Sequence, residues 1–219
     1  MLFINKVATL ISMIQNLIKN THPVIVAVAL TMTPFLQAAE NGKPAPGFEL
    51  KGINAQGKQD TYKLEQFKGK WVVLEWTNPE CPFVMKHYHK SGNLPKIQKT
   101  YTDKGVVWLS VLTGRTAKKS ENEISQYYYK DQKGSMTAIL YDKDSKVGHA
   151  YDAKTTPHLY IVDPNSTLVY QGAIDDNSDT DADVIAKSKN FVSENLDAAL
   201  AKKALPHAST KPYGCSVKY

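Results

Sequence analysis

The sequence predicts an α/β fold in which a central β-sheet is flanked by α-helices, and three observations carry that expectation. The stretches Trp71–Trp76 and Val106–Leu112 are almost continuously apolar, as expected of strands buried on both faces. Helical stretches alternate with strand stretches along the chain, which requires crossover connections between layers. No internal repeat or low-complexity tract competes with this architecture.

The elements follow in order. Gly42–Pro46 is a linker, Phe48–Ile53 alternates as a short strand, and Ala55-Gln56-Gly57 is a turn. The Trp71–Trp76 strand leads into Cys81, and Pro82 suits the first position of a helix that runs to about His89. A second helix covers Leu94–Tyr101 until Gly105 stops it. After the Val106–Leu112 strand, Ser120-Glu121-Asn122-Glu123 forms a capping box that opens a helix to about Lys130. Ala138–Tyr141, His158–Val162 and Thr167–Gln171 are further strands, the last two joined as a hairpin at Pro164-Asn165. Asp183–Lys203 is expected to be the longest helix, with Val184, Ile185, Phe191, Val192, Leu196 and Leu200 as its apolar stripe. Beyond Pro206 lies a tail without periodicity.

The first 38 residues differ from the rest. They hold Lys6 and Lys19 and no acid, and their apolar run Pro23–Leu36 is shorter than the ~20 residues a membrane span needs. The run ends in Leu36-Gln37-Ala38-Ala39, with small residues suited to cleavage. The expected organisation is therefore a signal peptide over 1–38, a folded domain over 39–205 and a tail over 206–219 that carries Cys215. A start at Met13 would leave a more compact signal segment. Export to the periplasm or another extracytoplasmic compartment follows, with no stable membrane insertion after cleavage; an uncleaved N-terminal anchor is the alternative.

Composition removes several function classes. The chain has 27 basic and 21 acidic residues for a net charge of +6, but Arg115 is the only arginine and the lysines are interleaved with acids. A solvated surface explains this better than a nucleic-acid interface, which favours Arg forks. Two cysteines exclude a disulfide-dense scaffold and a four-thiolate zinc site. His87 and His89 point to different sides of a helix, so joint metal binding with His158 is disfavoured. The acidic stretch Asp175–Asp181 lacks the central Gly of a calcium loop and has Ala186 where its closing Glu belongs. No metal or cofactor is expected. Tyr127-Tyr128-Tyr129 is expected to pack a helix face.

Cys81 is the strongest candidate for chemistry. A thiol at the start of a helix, behind an apolar strand, meets the first-turn N–H groups and the positive end of the helix dipole, both of which favour the thiolate. The other possibility is a small buried hydrophobe, the commonest state of a free cysteine.

At this point the residues carry a resemblance. Ala45-Pro46-x-Phe48-x-Leu50, Leu64-x-x-Phe67-Lys68-Gly69-Lys70-x-Val72-Val73-Leu74, the strand that delivers Cys81 to a helix, and Thr156-Pro157 before a strand resemble the redoxin branch of the thioredoxin fold, which includes the alkyl hydroperoxide reductase and thiol-specific antioxidant proteins. The ending Lys211–Tyr219 resembles a peroxiredoxin-like subgroup. The resemblance implies a thioredoxin-like fold with a central mixed β-sheet flanked by α-helices. It implies that Pro157 is a cis-proline facing the catalytic sulfur, with Thr156 beside it where an extended substrate is held. It implies that Glu75, six residues before Cys81, assists proton transfer. A carboxylate inside an apolar strand must otherwise be neutral or paired structurally. Thr77, Glu80 and Pro82 stand as candidates around the thiolate, and Arg115 as one that reaches the site from another loop.

The departures from that family matter as much. Val84 stands where a Cys-x-x-Cys motif has its second sulfur, so a local disulfide is excluded. Counting back from Cys81, Asn78 and Leu74 stand where peroxiredoxins have the Thr and Pro of Pro-x-x-x-Thr-x-x-Cys, and Pro157 stands where they have an arginine. Cys215 is the only other cysteine, either a loose surface thiol or a resolving or structural partner of Cys81. Three functions remain open. The leading one is an exported thiol-disulfide oxidoreductase with Cys81 as nucleophile, Cys215 as resolving thiol, and a thiol or disulfide electron-donor protein as partner. The second is a peroxiredoxin-like thiol peroxidase acting on small hydroperoxides. The third is a non-catalytic binding module stapled by a disulfide. A homodimer exchanging tails, as the peroxiredoxin resemblance implies, would satisfy the same chemistry.

Overall fold

The structure is a computed structural model and describes residues 38–114 and 119–219. Residues 1–37 of the expected signal segment and Arg115 lie outside the described residues. Among the described residues no helix is long and apolar enough to cross a membrane.

Seven strands form one mixed sheet in the order β2-β1-β5-β4-β3-β7-β8. They are β1 (Glu49–Ile53), β2 (Gln59–Lys63), β3 (Val72–Trp76), β4 (Val107–Thr113), β5 (Ala138–Asp142), β7 (His158–Val162) and β8 (Leu168–Gly172). A two-residue strand β6 (Thr155–Thr156) precedes β7 and pairs outside this sheet. The parallel core β3-β4-β5 coincides with the continuous apolar runs, every residue of these strands being buried. The expected α/β, thioredoxin-like architecture is thus observed.

Strand alternation splits the core into two layers. On one face Val73, Trp108, Leu112, Ile139 and Ile161 pack beneath α1 (Pro82–Met85, continuing as a π-helical stretch Lys86–Lys90), α2 (Asn93–Thr102) and α3 (Glu121–Ser125, continuing to Asp131). On the other face Leu74, Trp76, Leu109, Val111 and Tyr160 pack with Val147 and Ala150 of α4 (Lys146–Ala150). The capping box at Ser120 forms as expected, Ser120 Oγ accepting from the Glu123 amide.

The expected long helix Asp183–Lys203 is corrected. Only a single 3-10 turn (Ile185–Lys187) forms at its start, and the helix proper, α5, spans Phe191–Leu200. Asn190 is the cause: its side chain accepts from the Ser193 amide at 2.8 Å, so it caps a new helix rather than continuing an old one. Val192 and Leu196 are fully buried, whereas Val184 and Ile185 are only half-buried, so the apolar stripe seats the second segment and not the first. Strand β2 and helix α4 were not expected, the first because its polar residues lie on an exposed edge.

The tail is part of the fold. Residues 206–219 pack into the same compact unit as the residues before them. Thr210 accepts from the Ala173 amide at 2.9 Å, Val217 is buried with its amide donating to Lys154 O, and Tyr219 stacks on His149. Between these points lies β9 (Cys215–Ser216), antiparallel to β6.

Candidate active site

The polar turn after β3 delivers Cys81 to the first position before α1. The Asn78 side chain accepts from the Glu80 amide at 2.9 Å and its carbonyl from the Cys81 amide at 3.1 Å, after which Pro82 starts the helix in the position where a missing N–H costs nothing. Cys81 is 1% exposed.

The Cys81 sulfur has two neighbours from far along the chain. It lies 3.0 Å from the Thr156 carbonyl oxygen and 2.8 Å from the Cys215 sulfur, both cysteines being free thiols. The strand pair β6/β9 sets this geometry, because Thr156 and Cys215 are register partners. The Thr156-Pro157 peptide is cis, as the resemblance implies. Gly214 lets the tail approach: its φ is +135° and a Cβ there would lie 2.1 Å from the Thr156 oxygen. Burial and the hydrogen bond with Cys81 push the Cys215 thiol up to about 12. Cys215 is therefore protonated at neutral pH.

Cys81, Cys215, Thr156 and Pro157 thus converge, with Pro82 adjacent and exposed. The other expected residues have separate surroundings. Glu80 is exposed. Thr77 is buried and shares a hydrogen bond of 2.8 Å with the Tyr128 hydroxyl. Glu75 accepts from the Tyr88 hydroxyl (2.8 Å), Gln98 Nε2 (3.0 Å), Trp108 Nε1 (2.7 Å) and Ser110 Oγ (3.2 Å), and none of its hydrogen bonds runs to a sulfur. Burial raises its pKa against the pull of these four donors.

A further group of site residues was not expected. Tyr213, two residues before Cys215, donates its hydroxyl hydrogen to Asp175 Oδ1, lies 3.1 Å from His87 Nε2, and packs its ring against Phe83. Lys86 is buried, donates to Asn177 O at 2.7 Å, and stands 5.3 Å over the Tyr213 ring. Burial and the Lys86 charge hold His87 down to about 3, so it is neutral. Burial also raises Asp175 and lowers Lys86. Asp175 belongs to the stretch weighed as a calcium loop and His87 to the pair weighed as metal ligands. Among the described residues no cluster of His, Cys, Asp and Glu could hold a metal ion.

Comparisons with known proteins agree with the fold. The family model described as AhpC/TSA matches residues 41–171. The thiol-disulfide oxidoreductase ResA of Oceanobacillus iheyensis is 26% identical over 160 residues, covering 69% of this chain and 75% of that protein. A conserved protein from Geobacillus kaustophilus superposes with a TM-score of 0.69 at 27% identity, covering 82% of this chain and 92% of that one. The AhpC of Mycobacterium bovis shares the fold, with a TM-score of 0.56 at 16% identity over 77% of this chain and 97% of that one.

Proposed function

The chain belongs to the AhpC/TSA family and is an oxidoreductase, and from that premise we propose that it performs thiol-disulfide exchange with Cys81 as nucleophile and Cys215 as resolving thiol. The observation that carries this reading is the 2.8 Å separation of the two sulfurs within one chain. The Cys81 thiolate attacks one sulfur of a substrate disulfide and expels the other as a thiolate, leaving a mixed disulfide. Cys215 loses its proton to solvent, attacks the Cys81 sulfur and expels the remaining substrate sulfur as a second thiolate. The substrate is reduced by two electrons and the chain keeps a Cys81–Cys215 disulfide, which an external dithiol protein reduces.

The resolving pair is satisfied within one chain, so tail exchange in a homodimer is not needed for the chemistry. Peroxidase activity is the second reading, favoured by the near-complete burial of Cys81, which a small hydroperoxide reaches more easily than a protein. There the thiolate attacks the O–O bond to give a sulfenic acid and an alcohol, and Cys215 condenses with the sulfenic acid, releasing water. Asn78, Leu74 and Pro157, in place of the peroxidase residues, weigh against it.

The test is non-reducing peptide mapping after one equivalent of oxidised glutathione, with hydroperoxide in a parallel sample. The expected product of the first is a Cys81–Cys215 link within one chain and two equivalents of reduced glutathione. A persistent glutathione adduct on Cys81 with Cys215 free would overturn the resolving role. Consumption of hydroperoxide without reaction with the disulfide would favour the peroxidase. The acid-free segment also supports export to the periplasm with residues 1–38 removed, which intact-mass measurement of the exported protein checks.

A further inference from the structure

Cys215 can resolve a mixed disulfide quickly only if the tail holds it against Cys81. A tail tethered only at α5 would meet Cys81 at an effective concentration in the millimolar range, whereas a docked thiol in attack geometry reaches far higher values. The β6/β9 ladder spans two residue pairs, little for this purpose. The neighbouring contacts are stronger. Tyr213 and Cys215 are two apart on the tail, and both meet the segment that begins at Cys81.

We propose that Tyr213 is a positioning residue for the resolving step, its hydroxyl clamped between Asp175 and His87 so that Cys215 stays aligned on Cys81. This rests on the reading of Cys215 as the resolving thiol. The ring lies on Phe83, two residues after Cys81, with centroids 5.9 Å apart, and the hydroxyl hydrogen goes to a carboxylate that is itself buried. Hydrogen bonds to a charged acceptor are roughly twice as strong as neutral ones, so this contact outweighs a single ladder bond. The clamp also ties the tail to the loop after β8, which carries Asp175, joining three separate parts of the chain at one hydroxyl. Cys81 lies beneath this docked tail, so the clamp has a second consequence. Loosening it uncovers Cys81 while carrying Cys215 away, so the resolving half-reaction slows and the first does not.

The experiment mixes the reduced protein with one equivalent of 5,5′-dithiobis(2-nitrobenzoate) and follows thionitrobenzoate release by stopped flow. Attack by Cys81 releases the first equivalent and leaves Cys81 bonded to the second. Attack by Cys215 releases that second equivalent in a phase independent of protein concentration. In Tyr213→Phe, which keeps the ring and deletes the hydroxyl, the second phase should slow about tenfold or more while the first is unchanged or faster. Circular dichroism and a full first equivalent per chain establish that the variant is folded and competent. An unchanged second phase, or equal slowing of both phases, would overturn the positioning role. In Cys215→Ser the second phase should disappear. Its persistence there would overturn the resolving reading itself, whereas its loss there together with an unchanged second phase in Tyr213→Phe would overturn only the clamp.

Discussion

Cys81→Ser is expected to lower turnover with disulfide or hydroperoxide substrates on the order of 10³-fold or more, to the background of the buffer. Cys215 is pushed up to about 12 by burial and by its hydrogen bond with Cys81, so it supplies little thiolate at neutral pH. It also sits on a tail strand and not, as Cys81 does, at the start of a helix, and cannot substitute as nucleophile. The serine hydroxyl has its own donor to give to the Thr156 carbonyl, so no new buried acceptor is orphaned and the fold should lose only about 1 kcal/mol. The loss is therefore chemical and not structural. Thiol release from a disulfide substrate, measured beside thermal unfolding, separates the two. Retention of more than a few per cent of the wild-type rate in a folded variant would remove Cys81 from the nucleophile role.

The parts of the molecule that the sequence expresses locally were legible in it. Val72–Trp76 and Val107–Thr113 are buried on both faces, and a run of apolar residues is the direct record of that burial. The placement of Cys81 followed because Pro82 and the Asn78-Pro79-Glu80 turn are local signals. The convergence of Cys81, Thr156 and Pro157 came from the resemblance and not from spacing, since these residues meet only when β3 and β7 pair.

What was not legible depends on distant neighbours. Lys86 reads as one more solvated lysine, yet it is fully buried, because Asp175 and the Asn177 carbonyl arrive some ninety residues later to receive its charge. Asp175 reads as the first acid of a surface loop, and nothing nearby announces that it takes the Tyr213 hydroxyl. The tail has no periodicity because its contacts differ at every anchor: a hydroxyl at Thr210, a phenol at Tyr213, a two-residue ladder, a buried Val217 and a stacked Tyr219. The break before α5 was missed for the converse reason. The apolar stripe continues through it, while a single cap at Asn190 decides where the helix begins.

Glu75→Ala should cost about 3–5 kcal/mol of stability, whereas Glu75→Gln should stay within about 1 kcal/mol of the parent. Glu75 is fully buried and its two oxygens receive hydrogen bonds from Tyr88, Gln98, Trp108 and Ser110, which come from α1's π-helical extension, α2 and β4. Alanine leaves four buried donors without that acceptor and opens a cavity between sheet and helices. Glutamine keeps one oxygen for Gln98, Trp108 and Ser110. Its amide nitrogen then meets the Tyr88 oxygen, which already accepts from Gln98 and has a second lone pair to offer. The pH dependence carries a sign. Burial raises the folded pKa of Glu75 above its ordinary value of 4.5, so the folded chain holds the proton more tightly than the unfolded one. The contribution to stability is complete below that ordinary value and is lost as pH rises through the higher folded value. Glutamine has no proton to release, so the difference between parent and Glu75→Gln should shift in favour of glutamine as pH rises from 4 toward 7. Urea unfolding of both reduced proteins across that range measures it. Because the hydrogen bonds of Glu75 end on groups that hold the fold, thionitrobenzoate release by Glu75→Gln should keep both of its phases. A large slowing of either phase in this stable variant would instead give Glu75 the assisting role in proton transfer that the resemblance implies.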